Sequence, residues 1–121
     1  MFVRVDPPGE PVWVGQQVLV PVTVGLTERP GGSPQFRLPE VPGSVVFMLP
    51  RPIFGSETRD GVAYTTWTYS LAIYPHRPGT HTVGAIRADV RMPRGDGNPQ
   101  RLYAAAEPFD LRSRIPAAAT G

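Results

Sequence analysis

Residues 62–74 read Val62-Ala63-Tyr64-Thr65-Thr66-Trp67-Thr68-Tyr69-Ser70-Leu71-Ala72-Ile73-Tyr74, and their alternation decides the fold. Trp67, Tyr69, Leu71 and Ile73 share one parity, while Thr66, Thr68, Ser70 and Ala72 share the other. A repeat of two places alternate side chains on opposite faces of a strand, and aromatic and β-branched residues suit a pleated, half-buried surface. The stretch therefore predicts a strand that turns Trp67, Tyr69, Leu71 and Ile73 toward a core. It ends at Pro75-His76-Arg77-Pro78-Gly79, and residues 80–90 lead away as a second strand. The two are expected to form a central hairpin.

The chain on the N-terminal side carries further strand signals. Asp60-Gly61 is a two-residue hairpin turn, since both residues tolerate positive φ, and it would pair residues 53–59 with 62–67. In residues 16–26, Val18, Val20, Val22, Val24 and Leu26 share one face, and Leu19, Pro21 and Thr23 share the other. Pro21 has no backbone donor, so its nitrogen is expected at an edge or a bulge. Residues 2–5 predict a first short strand. Asp6-Pro7-Pro8-Gly9 breaks it, and residues 11–14 resume it at an edge or at a switch between sheets. Residues 27–34 form a loop by composition, residues 35–39 an extended piece, and residues 44–49 a strand cut off by Pro50-Arg51-Pro52.

On the C-terminal side, His81 and Val83 share one parity, and Ile86, Ala88 and Val90 share the other. The switch falls at Gly84-Ala85, where one extra residue in a bulge would exchange the faces. Residues 92–100 predict a long polar hairpin loop, and residues 101–112 a last strand with a break near Pro108. Turn signals at this spacing, without helical periodicity, predict an all-β fold. It is an immunoglobulin-like β-sandwich of about seven to eight antiparallel strands. One domain is expected over residues 1–112, followed by a linker or disordered tail over 113–121.

The length of 121 residues suits one domain that buries its own core without a metal or disulfide staple. The absence of cysteine excludes disulfides, thiolate catalysis and cysteine-based zinc sites. All twelve basic residues are arginine. Arginine forks match phosphate geometry, but a nucleic-acid footprint needs clustering. The net charge of +2 and the acidic residues interspersed along the chain predict no nucleic-acid partner. The 13 glycines and 16 prolines fall between apolar runs and read as turns and blunted strand edges. No window offers the ~20 apolar residues of a membrane helix. The opening Met1-Phe2-Val3-Arg4-Val5-Asp6 lacks the apolar region of a signal peptide. Two settings stay open: a cytoplasmic protein, or a domain of a longer exported chain.

Several segments together carry a family likeness. They are Val12-Trp13-Val14-Gly15-Gln16-Gln17-Val18 opening the valine strand, Leu38-Pro39-Glu40-Val41-Pro42-Gly43, and the Asp60-Gly61 turn. Tyr69-Ser70-Leu71-Ala72-Ile73-Tyr74-Pro75 and Arg77-Pro78-Gly79-Thr80-His81-Thr82-Val83-Gly84 complete the set. In this order they resemble the extracytoplasmic repeats of the BatD (Bacteroides aerotolerance, or oxygen tolerance) family of bacterial cell-envelope proteins. The resemblance implies a β-sandwich located in the periplasm or outside the cell, in a parent chain anchored by a membrane helix. It implies a protein partner, such as a membrane-anchored envelope protein, and no catalytic residues.

The residues themselves offer little chemistry. His76 and His81 are the only histidines, and no carboxylate has a compelling ligand spacing to them. Asp96-Gly97-Asn98 holds one acidic side chain, too few for calcium, and reads as a turn. Asp6, Glu10, Glu40, Glu57, Asp60, Asp89, Glu107 and Asp110 show no pairing that separates a glycosidase dyad from ordinary surface acids. There is no nucleophile elbow and no phosphate-binding glycine loop. The expectation is a non-enzymatic interaction or structural module with no catalytic, cofactor or metal residues. Tyr64 and Tyr74 lie on the parity opposite the core, and with Arg94 and Asp96 of the polar loop they form the candidate interaction surface. The alternative is a carbohydrate-binding module in which Tyr64 and Tyr74 stack on sugar rings.

Overall fold

The computed structural model describes residues 1–95 and 97–115, and these contain eleven strands and no helix. In chain order they are β1 (Phe2–Val5), β2 (Val12–Trp13), β3 (Val18–Leu26), β4 (Gln35–Arg37), β5 (Ser44–Met48) and β6 (Ile53–Arg59). After these come β7 (Val62–Pro75), β8 (Gly79–Val83), β9 (Arg87–Met92), β10 (Gln100–Ala105) and β11 (Phe109–Arg114).

The first layer is built on β7. One edge of β7 pairs with β3 from Leu26↔Thr65 to Val18↔Ile73, and β1 extends the sheet beyond β3. The other edge takes β6 along its first half and β5 along its second. The second layer holds two three-stranded ladders, β10-β9-β4 and β2-β11-β8. They meet end to end, because β8 runs on into β9 and β10 into β11, and Ala106 N donates to Ile86 O at 2.9 Å across the junction. The chain breaks at Pro50-Arg51-Pro52, at Gly84-Ala85-Ile86 and near Pro108 divide three long strands, so the eleven segments follow eight strand paths.

Between the layers lies an all-β core. Val20, Val22, Leu71 and Ile73 from the first layer meet Val83, Ile86 and Leu111 from the second. Val24 and Leu26 meet Ala88, Val90 and Met92. Each fully buried Val or Leu side chain contributes about 1.5–3 kcal/mol, and the alternation predicted for β3 places its whole valine face there. Tyr69 packs edge-on against Phe36, and its burial pushes the phenol pKa up.

Several expectations meet their physical test here. Asp60 and Gly61 do adopt positive φ (51° and 78°) and close the β6–β7 hairpin. The parity switch at Gly84-Ala85 occurs, since His81 and Val83, then Ile86, Ala88 and Val90, all point inward. Pro21 sits one residue beyond the last β1 pair, Val5↔Val22, so its missing donor breaks no ladder bond, and its carbonyl accepts from Asp6 N at 3.0 Å.

The central hairpin is a correction. β7 and β8 lie in different layers, because both edges of β7 are already occupied and β8 pairs with β11. The connection with its two prolines carries the chain across the core instead of folding it back. Trp67 faces the core as its parity predicts, packing against the Val24, Leu26, Ala88, Val90 and Met92 cluster, but it is only half-buried, edge-on to the exposed Phe54. Ala72, on the opposite parity, is fully buried where Leu19 and Phe47 flank it in register. Finally, β11 continues through Ser113, which is buried, to Arg114, so the ordered strand outlasts the expected end at residue 112. Residues 116–121 of the expected tail lie outside the described residues.

Candidate interaction face

The inward set Ala88, Val90 and Met92 forces Arg87, Asp89 and Arg91 onto the outer surface of β9. By the same alternation β10 turns Arg101 and Tyr103 outward, and β4 turns Gln35 and Arg37 outward. Register sets Arg91 directly opposite Arg101, Arg37 directly opposite Arg87, and Asp89 between Tyr103 and Gln35. Arg112 and Arg114 of β11 lie on the same outer face. Six of the twelve arginines therefore share one face, with Asp89 and Asp110 as its strand carboxylates.

The charges on this face are unevenly compensated. Asp89 Oδ1 accepts from Arg87 Nε at 3.0 Å and lies 3.0 Å from Arg87 Nη2, while Arg37 Nε stands 3.9 Å from Oδ2. Arg87 also stacks on Tyr103, with its guanidinium carbon 4.0 Å from the ring centre, and Tyr103 is 64% exposed. Asp110 accepts from Thr82 Oγ1 at 2.9 Å. Among the described residues, neither Arg91 nor Arg101 has a carboxylate within ion-pair distance. Like charges directly opposite each other on neighbouring strands destabilise a sheet, and this face holds two Arg–Arg pairs.

The loop over residues 27–34 bounds the face at one end. Gly31 N donates to Arg91 O at 2.7 Å, and Arg94 Nη1 donates to Glu28 Oε2 at 2.8 Å, so a backbone bond ties the loop to β9 and a side-chain bond ties it to the β9–β10 connection. A cleft of about 540 Å³ opens between this loop and the strands, lined by Gly31, Gly32, Arg37, Asp89, Arg91 and Arg101. Guanidinium forks in such a cleft can take carboxylates or phosphates in two-pronged hydrogen bonds.

No family model, curated protein or solved structure matches this chain in comparison with known proteins.

The residues expected to form the interaction surface are dispersed. Tyr64 is half-buried on the outer side of the first layer, edge-on to Phe2 with ring centres 5.0 Å apart. Tyr74 stacks on Phe47, and its hydroxyl accepts from Gln17 Nε2 at 2.7 Å. The two tyrosines are ten positions apart along β7, about 33 Å at the usual rise, so they do not line one sugar-sized site. Arg94 stands in the β9–β10 loop beside the arginine face, and Asp96 lies outside the described residues. Of the histidines, His76 is exposed and His81 is buried. His81 Nε2 lies 2.8 Å from Arg77 O and 2.9 Å from Ser113 Oγ, with Nδ1 3.3 Å from Pro42 O. The arginine face does not show as a cluster in the sequence because its arginines are dispersed along the chain. The readable signal was the shared parity of Arg87, Asp89 and Arg91 in a strand whose other parity is apolar.

Proposed function

We propose that this chain is a non-enzymatic, immunoglobulin-like interaction module of a bacterial cell-envelope protein of the BatD type, and that it docks an acidic protein surface on its arginine face. The strand order supports the immunoglobulin-like part. β1-β3-β7-β5/β6 and β4-β8/β9-β10/β11 correspond to the two sheets of the constant-type sandwich, with β2 added along β11. The sequence likeness to BatD repeats supports the envelope part. The observation that carries the docking surface is the register that sets Arg91 opposite Arg101, neither with a carboxylate partner among the described residues, beside Arg37 and Arg87, which share Asp89. A sheet gains nothing by opposing like charges, whereas an acidic partner would neutralise the Arg91 and Arg101 guanidinium groups together.

A labelled oligoglutamate and a single-stranded oligonucleotide of equal charge provide the test. The peptide is expected to bind the wild type with an affinity that falls with salt, and to lose that binding in the Arg91→Glu/Arg101→Glu variant. The equally charge-altered Arg51→Glu/Arg59→Glu variant, changed outside this face, should keep it. Equal loss in both variants, no binding at all, or preference for the oligonucleotide would each overturn the reading.

A further inference from the structure

The loop over residues 27–34 has a second cleft on its other side. Phe54, Thr65 and Trp67 line it together with Arg29 and Pro30, and its volume is about 660 Å³. Both clefts share Gly31, Gly32 and Ser33, so a single ridge of loop separates them. Phe54 is 63% exposed and stands edge-on to Trp67, with ring centres 5.0 Å apart and planes at 70°. One side of the ridge is thus aromatic and the other is lined by arginine.

We propose that the acidic partner crosses this ridge as a polypeptide segment, placing its carboxylates on Arg91 and Arg101 and an aromatic or large aliphatic side chain against Phe54 and Trp67. This deepens the docking reading given above and rests on it. Three observations support it. The ridge is low where a segment would cross, because Gly31 and Gly32 carry no side chains. A Cβ at Gly32 would meet nothing within 4 Å, and Gly32 is not among the positive-φ residues, so neither packing nor backbone geometry demands glycine there. The ridge is also held in place before any partner arrives, through Gly31 N to Arg91 O and Arg94 to Glu28, which lowers the ordering cost of binding. Charge selects the occupant. Glu28 of the aromatic cleft is taken up by Arg94 and Asp89 of the arginine cleft by Arg87 and Arg37, while among the described residues Arg29, Arg91 and Arg101 make no ion pair with a carboxylate, so unpaired cations remain on both clefts. A second copy of the chain would bring its own arginine face and a net charge of the same sign, whereas an acidic segment with one apolar anchor complements both sides of the ridge.

The experiment uses three short labelled peptides: one of Glu, Gly and Ser; the same with a central Trp; and the Trp peptide with every Glu replaced by Gln. Burying the anchor should make the acidic Trp peptide bind about tenfold more tightly than the anchor-free acidic peptide. Phe54→Ala and Gly32→Leu should each erase that advantage, and Phe54→Ala, which lies outside the arginine cleft, should leave the anchor-free affinity unchanged. Gly32→Leu is chosen because its added side chain starts in open space and raises the ridge without disturbing the core. Equal binding of the two acidic peptides, or an advantage that survives both variants, would overturn this proposal while leaving the arginine face intact. Absence of Arg91- and Arg101-dependent binding by either acidic peptide would sink both readings. Equal binding of the Gln peptide would make the cleft an apolar groove, and self-association in sedimentation that Phe54→Ala abolishes would assign it to a second copy; either result overturns the proposal.

Discussion

Arg94 Nη1 donates to Glu28 Oε2 at 2.8 Å, and this pair joins the loop after β3 to the loop after β9, which are far apart in sequence. An ion pair at the surface contributes little to global stability, so Arg94→Ala should cost less than about 1 kcal/mol in urea unfolding. Its local effect should be larger. Gly31 N depends on the same loop position for its 2.7 Å bond to Arg91 O, so hydrogen exchange at the Gly31 amide should accelerate in the variant. Unchanged exchange there would mean that the backbone bond alone holds the ridge.

The core should rank by burial rather than by side-chain size. Leu71 is fully buried between the layers, while Trp67 stands half-buried at the end of the sandwich. Leu71→Ala should therefore cost about 2–5 kcal/mol from lost transfer energy and cavity formation, and Val22→Ala about 1–3 kcal/mol. Trp67→Ala should cost less than Leu71→Ala despite the larger deletion. Urea midpoints at constant slope would measure the series. A Trp67 loss exceeding that of Leu71 would mean the sandwich closes over the indole.

The alternation of β3 and β7 made the fold legible, because a repeat of two with aliphatic residues on one parity leaves a strand no choice of face. Turn chemistry was equally readable at Asp60-Gly61, where two positive φ angles are required. The partner of each strand was less accessible. Nothing local in residues 75–79 distinguishes a hairpin from a crossing between layers, since that choice depends on β5 and β6 occupying the far edge of β7. The arginine face was hidden for the same reason. Arg37 and Arg87 are 50 positions apart in the chain and become neighbours only through the β4–β9 register. Tyr64 and Tyr74 share a parity, which sequence reveals, but Phe2 and Phe47 that cover them come from other strands.

His81 joins three segments, which predicts a measurable asymmetry with Ser113. The ring reaches Pro42 O before β5, Arg77 O before β8 and Ser113 Oγ on β11. Removing it empties the buried space the ring fills and takes a partner from the buried Ser113 Oγ, so His81→Ala should cost about 1–3 kcal/mol. Ser113→Ala should cost less, because Arg77 O keeps its contact with His81 Nε2. The two losses should be non-additive in the double variant. Simple addition in thermal or urea unfolding would mean the groups act independently.

Phe2 occupies the space above Gly25 so closely that a Cβ on Gly25 would stand 2.0 Å from the ring. The ring is held on its other sides by Tyr64 and by the Arg59 guanidinium, 4.1 Å from its centre. Gly25→Ala should therefore displace Phe2 and destabilise the protein by about 1–3 kcal/mol, as overpacking does. In a Phe2→Ala background the same substitution should become nearly neutral, since the obstructing ring is gone. Equal effects in both backgrounds would locate the strain in the β3 backbone instead.

Arg4 and Glu57 supply the pH dependence of this same outer face. Arg4 Nη1 donates to both Glu57 oxygens, at 3.0 and 2.7 Å, and joins β1 to β6. That hydrogen bond, reinforced by the charges of Arg4 and Arg59, holds the Glu57 carboxyl below its ordinary value of 4.5. A carboxylate with a depressed folded pKa stabilises the native state above its unfolded pKa and loses that contribution as pH falls through the folded value. Wild-type stability should accordingly decline in the window below 4.5, and Arg4→Gln should flatten that part of the decline by lowering the neutral-pH stability by the same small amount. Parallel acid limbs for the two proteins, followed by thermal unfolding across the window, would show that Arg4 does not set the Glu57 titration. A fall beginning above the ordinary carboxylate range would point to a different group.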